Sequence, residues 1–517
     1  MRRQRVNARR QVRQLPKYLP WVGVVALLAP AAQAQEAAGR SLRFTPSFTV
    51  QQELTNNVGL TTTNPQAELI TTLSPGISLR TRSGRVQGSL DYTLNAIVHA
   101  RDASRNQLQN ALNANVAAEL IEQHLFVNAT AGISQQTISA FGTQAGGTGL
   151  VNDNSTEVYS VSISPSFRTK LGSYADLRAS AAWSATAASA TDLGDSSALN
   201  AAVGLSGGQG RWGWGLDASW TQSDFNTGRK TNNDLVFGTI RYAPMYDLQL
   251  SVRGGIEGQT VRTGQRQTTD FYGYGINWQP SPRTSLTYQR DERYFGRSHS
   301  LSFQYRRAKS IWSYTDSRGI NGEGKYNPLY LNQGPTVSNF NLFFALFAPL
   351  EPDPVLREQL VRNFLQANGI DPNAAVSSGF LNSGQTVQRS QNLSVALIGQ
   401  RTTLTLSSFA TATEPVETAN LTSGDLANVG RIRQVGYTAG ASHRLTPTSS
   451  AGLTASFQRT LDEPTQAGNE ERLLTLSWTG QIGYRTFASA NVRRTVFSST
   501  TNPYNESAIN ASIRWTF

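Results

Sequence analysis

From Leu42 to the C-terminus, apolar and polar residues alternate with a period of two in segment after segment. The clearest stretch surrounds Ser83-Gly84. Ile77 and Leu79 lead in, and Val86, Gly88, Leu90, Tyr92, Leu94, Ala96 and Val98 then share one face, with Arg85, Gln87, Ser89, Asp91, Thr93 and Asn95 opposite. A helix would mix these two sets within two turns, so the segment predicts a half-buried strand. The same grammar recurs in Leu112-Ala114-Val116-Ala118-Leu120, Tyr159-Val161-Ile163, Leu177-Ala179-Ala181-Trp183, Trp212-Trp214-Leu216-Ala218-Trp220, Tyr272-Tyr274-Ile276-Trp278, Leu301-Phe303-Tyr305, Leu393-Val395-Leu397 and Val435-Tyr437-Ala439. Aromatic residues gather toward the ends of these segments, as in the interfacial girdles of membrane barrels.

Short turns are expected near Ser83, Glu122, Gly172, Gly208, Met245, Ser281, Arg307, Gln400, Pro447 and Gln481, each alternating with a longer connection. Ten turns and eleven loops predict about 22 strands (range roughly 18 to 24), and an even number returns the chain to the side where it began. The fold class is thus an all-β, transmembrane, antiparallel up-and-down barrel spanning 35–517. Its last strand places Ile509, Ala511, Ile513, Trp515 and Phe517 on one face and Asn510, Ser512, Arg514 and Thr516 on the other. Ile513, Trp515 and the terminal Phe517 form a barrel-assembly signal of the kind read by the assembly machinery.

Two features break the ladder. Pro75 and Pro165 lie inside strand patterns although a closed barrel has no free edge to absorb a missing N–H, so bulges are expected there. The stretch 318–386 differs in composition and reads as a loop insert with a short helix, a candidate lumen constriction or lid. Phe340 to Leu350 is almost wholly apolar. Asp353-Pro354 then suits a helix start, followed by Val355, Leu356, Leu360, Val361, Phe364 and Leu365 on one face and Gly369 as a stop.

Residues 1–34 change the compartment. Arg2, Arg3, Arg5, Arg9, Arg10, Arg13 and Lys17 precede the apolar run Trp21 to Ala29 and the small-residue site Ala32-Gln33-Ala34. That order is a signal peptide, cleaved before Gln35, and its apolar part is too short for a membrane anchor. The formal charge of +12 loses the leader's seven cations, which leaves +5 for the mature chain, scattered rather than clustered. Nucleic-acid binding is therefore excluded as a leading class. There is no cysteine, hence no disulfide framework or thiolate metal site. Charged residues make up 15%, below the ~25% usual in soluble domains, and mean hydropathy is −0.36. The expected location is the outer membrane, among its lipids and lipopolysaccharide.

Catalytic chemistry finds little purchase. No nucleotide loop, zinc spacing or nucleophile elbow appears, and no cofactor is expected. His99 and His299 fall at the outer rim and His124 and His443 at the periplasmic end, with none clearly joined to an acid. His299, beside Ser298 and Ser300, is the best hydrolase candidate, and a solvated rim residue is the stronger reading. The polar face offers more: Arg80, Arg85, Asp91, Glu119, Arg168, Asp176, Arg178, Asp217, Arg241, Arg253, Glu257 and Arg514 alternate with lipid-facing residues. Such a lining either selects a polar solute or polysaccharide or forms a structural lattice of ion pairs. Few residues precede the first strand, so 318–386 is the only candidate stopper.

A set of segments carries a family likeness: Leu69-Ile70-Thr71-Thr72-Leu73-Ser74-Pro75-Gly76-Ile77-Ser78-Leu79, Leu90-Asp91-Tyr92, Arg105-Asn106-Gln107, Leu125-Phe126-Val127 with Ile133-Ser134-Gln135-Gln136, Arg293-Tyr294-Phe295-Gly296, Phe364-Leu365-Gln366-Ala367-Asn368-Gly369 and Ser378-Gly379-Phe380-Leu381. Together they resemble the outer-membrane proteins associated with the PEP-CTERM/exosortase system. The resemblance spans nearly all the mature chain and implies a Gram-negative setting beside exopolysaccharide production and protein sorting. It transfers no catalytic residue. The expectation is a non-enzymatic barrel serving exopolysaccharide export or surface organisation, with exopolysaccharide or its export proteins as candidate partners. The alternatives are a general diffusion porin for small polar solutes and a structural or adhesive surface barrel.

Overall fold

The computed structural model describes residues 42–517, apart from positions 148, 151, 192, 227–229, 261–264, 383, 417–423, 464 and 466, and apart from 321–378, where only ten positions between 340 and 365 are described. The leader and the Asp353-Pro354 helix start lie outside the described residues.

Twenty-two antiparallel strands form one sheet, from β1 (Arg43–Thr55) to β22 (Tyr504–Thr516). Each strand pairs with its sequence neighbours, and β1 also pairs with β22 from Ser47↔Thr516 to Thr55↔Ala508, closing the barrel. Closure satisfies the backbone donors and acceptors that an open edge would leave exposed. The long connections gather at one end and the short turns at the other. One long connection is missing. Only Tyr294 and Phe295 join β13 (Thr284–Arg293) to β14 (Gly296–Arg307), and Gly296 takes the left-handed φ of 92° that so tight a hairpin needs.

Register fixes the faces. Leu54 pairs with Leu69 of β2 (Glu68–Arg82) and with Ile509, so these point outward, while Glu53, Ile70 and Asn510 point inward. The outward set is solvent-exposed and apolar: Leu108, Ile240 and Val252 are 66%, 61% and 65% exposed. A chain this apolar outside cannot keep its core there, and its buried clusters lie within the lumen or under the long loops. Rings mark the short-turn end of the outer wall, with Trp212 against Tyr242 at 4.6 Å and Phe48 stacked on Trp515 at 6.3 Å. Phe517 is 63% exposed, and its N–H donates to the Pro46 carbonyl at 3.0 Å.

The prolines act differently from expectation. Between β2 and β3 (Val86–His99) the pairs Leu73↔Ala96 and Gly76↔Thr93 keep one register across Pro75, and between β6 (Ser155–Leu171) and β7 (Ala175–Ala188) Ile163↔Trp183 and Ser166↔Ser180 do the same across Pro165. The ladder lapses without a bulge. Each proline stays paired on its other side, Pro75 with Phe48 and Pro165 with Val127, so the missing N–H interrupts one ladder only. The insert is also narrower than 318–386: β15 (Ser310–Ile320) and β16 (Thr386–Ile398) absorb its ends and leave 321–385.

Candidate functional site in the barrel lumen

The strand pairings place Arg80, Asp91, Glu119, Arg168, Asp176, Arg178, Asp217, Arg241, Arg253, Glu257 and Arg514 on the inward face. Arg85 is the exception. It sits in the turn before β3 and reaches Glu122 of the next turn at 3.4 Å, with its side chain 62% exposed. The inward charges do not converge on one point, and four of them, Arg80, Asp91, Arg253 and Glu257, form ion pairs with near neighbours. Arg253 meets Asp291 at 2.5 Å, and Arg293 holds the fully buried Glu257 through its Nε at 3.1 and 3.2 Å. Asp291 and Arg293 escaped the sequence reading because Arg290-Asp291-Glu292-Arg293 puts charge on both faces of β13. Counting parity from the outward Tyr288 would have found them.

A lumen bounded by this many strands is too wide for wall side chains alone to fill. Described residues of the insert lie within it. Phe343, Val361 and Leu365 are buried against Ile311, Ala396 and the partly buried Ile398, on the inward face of β15 and β16 near the short-turn end. From this anchorage the described helical residues 357, 358 and 360–362 reach the opposite wall. Arg80 pairs with Asp91 at 2.7 Å and with Glu358 of the insert at 3.9 Å; Arg362 pairs with Asp91 at 3.7 Å and with Glu358 at 2.9 Å. Two arginines and two carboxylates thus alternate, one of each from the wall and one of each from the insert. Arg362 also lies over the Phe340 ring at 5.0 Å and Arg357 over Phe344 at 4.7 Å, tying the two parts of the insert together.

A second obstruction stands at the seam. Arg493 of β21 (Thr486–Ser499) is 7% exposed and contacts Glu53 at 2.8 Å and Glu506 at 3.0 Å. Thr55 and Thr495 donate to Glu506, and Asn510 donates to Glu53. Three strands from the two ends of the chain therefore meet in one charged knot. Above it, loop residues Val58, Leu60 and Leu150 pack on the inward Ile70, Ile97, Phe497 and Tyr504. A Cβ on Gly147 would overlap the Arg493 guanidinium, which explains a glycine where the loop crosses the knot.

The long-loop mouth is stitched further around Phe380 and Leu381, 4% and 1% exposed. Phe380 bridges to Thr137 of β5 (Leu125–Thr137) and packs with Ala140, Leu426 and Ile432. Asp425, which opens the one-turn helix Asp425–Asn428, accepts from the Ser139 hydroxyl at 2.8 Å and the Ala140 N–H at 2.6 Å. Burial pushes its carboxyl above the usual range, and these two donors only partly oppose the shift.

The histidines require a correction. His299 is joined to an acid: its Nε2 lies 3.0 Å from Asp316, whose other oxygen accepts from Arg389 at 2.8 Å. Alternation puts His299 on the outer face and Ser298 and Ser300 on the inner one, so neither serine meets the imidazole. Among the described residues no group of His, Asp and Glu is placed to hold a metal ion.

No family model and no curated protein matches this chain. Solved structures do. The siderophore receptor PirA from Pseudomonas aeruginosa is 9% identical, with 93% of this chain and 82% of that chain covered and a TM-score of 0.45. The FrpB iron transporter from Neisseria meningitidis, in its apoprotein form, is 8% identical over 92% and 81%, with a TM-score of 0.47. The copper transporter OprC is 9% identical over 93% and 82%, with a TM-score of 0.44.

Proposed function

We propose that this chain is an outer-membrane barrel acting as a gated conduit, closed at rest by its own insert, in the service of exopolysaccharide export. The observation that carries the gating is the set of four charges, Arg80, Asp91, Glu358 and Arg362, by which the insert bridges the lumen. A buried apolar anchor on one wall and a wet ionic contact on the other is a workable gate design, because partly exposed ion pairs exchange partners at small cost. Membrane residence is supported by closure, the apolar outer face and the aromatic ring at the short-turn end. Exopolysaccharide as cargo rests on the family resemblance alone. An always-open diffusion porin fits poorly with a crossed lumen.

The test is a gene deletion complemented with the native protein or with one lacking residues 321–385. Loss of the barrel is expected to reduce polysaccharide at the cell surface, and the native protein to restore it. Unchanged amount and location of polysaccharide, together with no glycan binding by the purified protein, would remove the export reading.

A further inference from the structure

Charge on the outer wall of a membrane barrel is costly unless something neutralises it. On β13 to β17 the chain neutralises its own: Arg290 and Arg297 flank Glu292, His299 and Arg389 flank Asp316, and Arg318 meets Glu414 of β17 (Thr402–Pro415). The next strands do so for only one arginine of four. Arg433 of β18 (Ile432–Thr446), Arg459 of β19 (Ser449–Asp462), Arg472 of β20 (Gly468–Gly483) and Arg494 of β21 all point outward and are exposed. Each lies within five residues of the long-loop end of its strand (432 to 433, 459 to 462, 468 to 472, 494 to 499).

The register arranges them as a staircase. Arg433 stands opposite Leu461, Arg459 opposite Glu470, Arg472 opposite Phe457 and Val496, and Arg494 opposite Leu474. Three strand spacings make the row about 14 Å wide. Glu470 is its one carboxylate, 2.5 Å from Arg472; Arg494 donates to the Ser507 hydroxyl at 2.7 Å; Arg433 and Arg459 have no ion pair among the described residues. Two rim acids beside the row, Glu463 and Glu414, are held by Arg431 and Arg318. At the level of the lower two steps Arg472 and Arg494 themselves line a groove of about 400 Å³, together with Leu406, Tyr437, Phe457, Leu474 and Val496, and Tyr437 and Phe457 stack there at 6.3 Å.

From this we infer that the outer wall of β18 to β21 is a binding site for a phosphorylated glycolipid of the outer leaflet, its phosphates on the arginine staircase and an acyl chain in the groove. Four arginines against one carboxylate, spread over three strand spacings, match a headgroup with two separated phosphates better than the single phosphate of a glycerophospholipid. Guanidinium forks suit phosphate oxygens, and rings over an apolar trough suit acyl chain. The inference rests on the outer-membrane reading and is independent of the gate.

The experiment uses the full mature barrel in detergent and native mass spectrometry with three probes: bisphosphorylated lipid A, monophosphoryl lipid A and phosphatidylglycerol. The native barrel is expected to prefer bisphosphorylated lipid A. Replacing Arg459, Arg472 and Arg494 together by glutamine is expected to weaken that binding about a hundredfold, since each arginine at an anionic surface is worth roughly a factor of five. Ala455→Trp, an apolar change in the groove that keeps every charge, is expected to weaken all three lipids alike. Phosphatidylglycerol binding as tightly as bisphosphorylated lipid A, or glutamine variants binding as the native barrel does, would overturn the site. Neither result would touch the gating reading, which conductance tests separately.

Discussion

Arg493 and Asp425 show how single residues fix the barrel seam and the long-loop mouth. Arg493 is buried between Glu53 and Glu506 and joins strands from both ends of the chain. Removing it leaves two carboxylates unneutralised, so Arg493→Ala is expected to cost about 3–5 kcal/mol. Heat-induced loss of the compact barrel on gels checks this, and an unchanged transition would contradict the knot's role. Asp425 works the other way. Its folded carboxyl is raised by burial, so its contribution to the loop clasp is full below the ordinary carboxylate range and is lost as pH rises through the raised value. Protection of the Ala140 amide against hydrogen exchange, compared between pH about 4 and neutrality, is expected to fall in the native protein and to stay flat in Asp425→Asn. A rise with pH in the native protein would refute it. Neither residue was legible in the sequence. Arg493 is followed by Arg494 on the opposite face, and nothing local says which of the two meets Glu53, 440 residues away.

At the scale of elements, strands were readable and contacts between distant segments were not. A period-two pattern is a local signal set by one wet and one lipid-facing side, so the outward faces from Val86 to Val98 and from Trp212 to Trp220 follow from the sequence alone. The Tyr294-Phe295 hairpin was missed because its flanks carry charge on both faces. The unbulged prolines were missed because alternation says nothing about which neighbour each N–H serves. Loops resisted for another reason. The motif Ser378-Gly379-Phe380-Leu381 could be recognised as a likeness, yet the place of Phe380 under the long loops depends on Thr137, Leu426 and Ile432, far away in the chain.

For the whole molecule, the sequence predicted the strand number, singled out 318–386 as a candidate constriction, and left open whether that stretch lies inside. Into the wide polar channel suggested by the inward charges come described residues of the insert, Phe343 and Val361 fully buried on one wall and Glu358 and Arg362 paired on another. Several lining charges serve as ion-pair partners, as in a structural lattice, and Arg80 and Asp91 serve as the insert's docking point. Planar-bilayer recording tests this most directly, comparing the native barrel with Arg80→Ala combined with Arg362→Ala and with a barrel lacking residues 321–385. The native barrel is expected to stay closed at rest, the double variant to open intermittently and the shortened barrel to conduct steadily. A native barrel that conducts as steadily as the shortened one, or a shortened barrel that stays closed, would contradict closure by the insert.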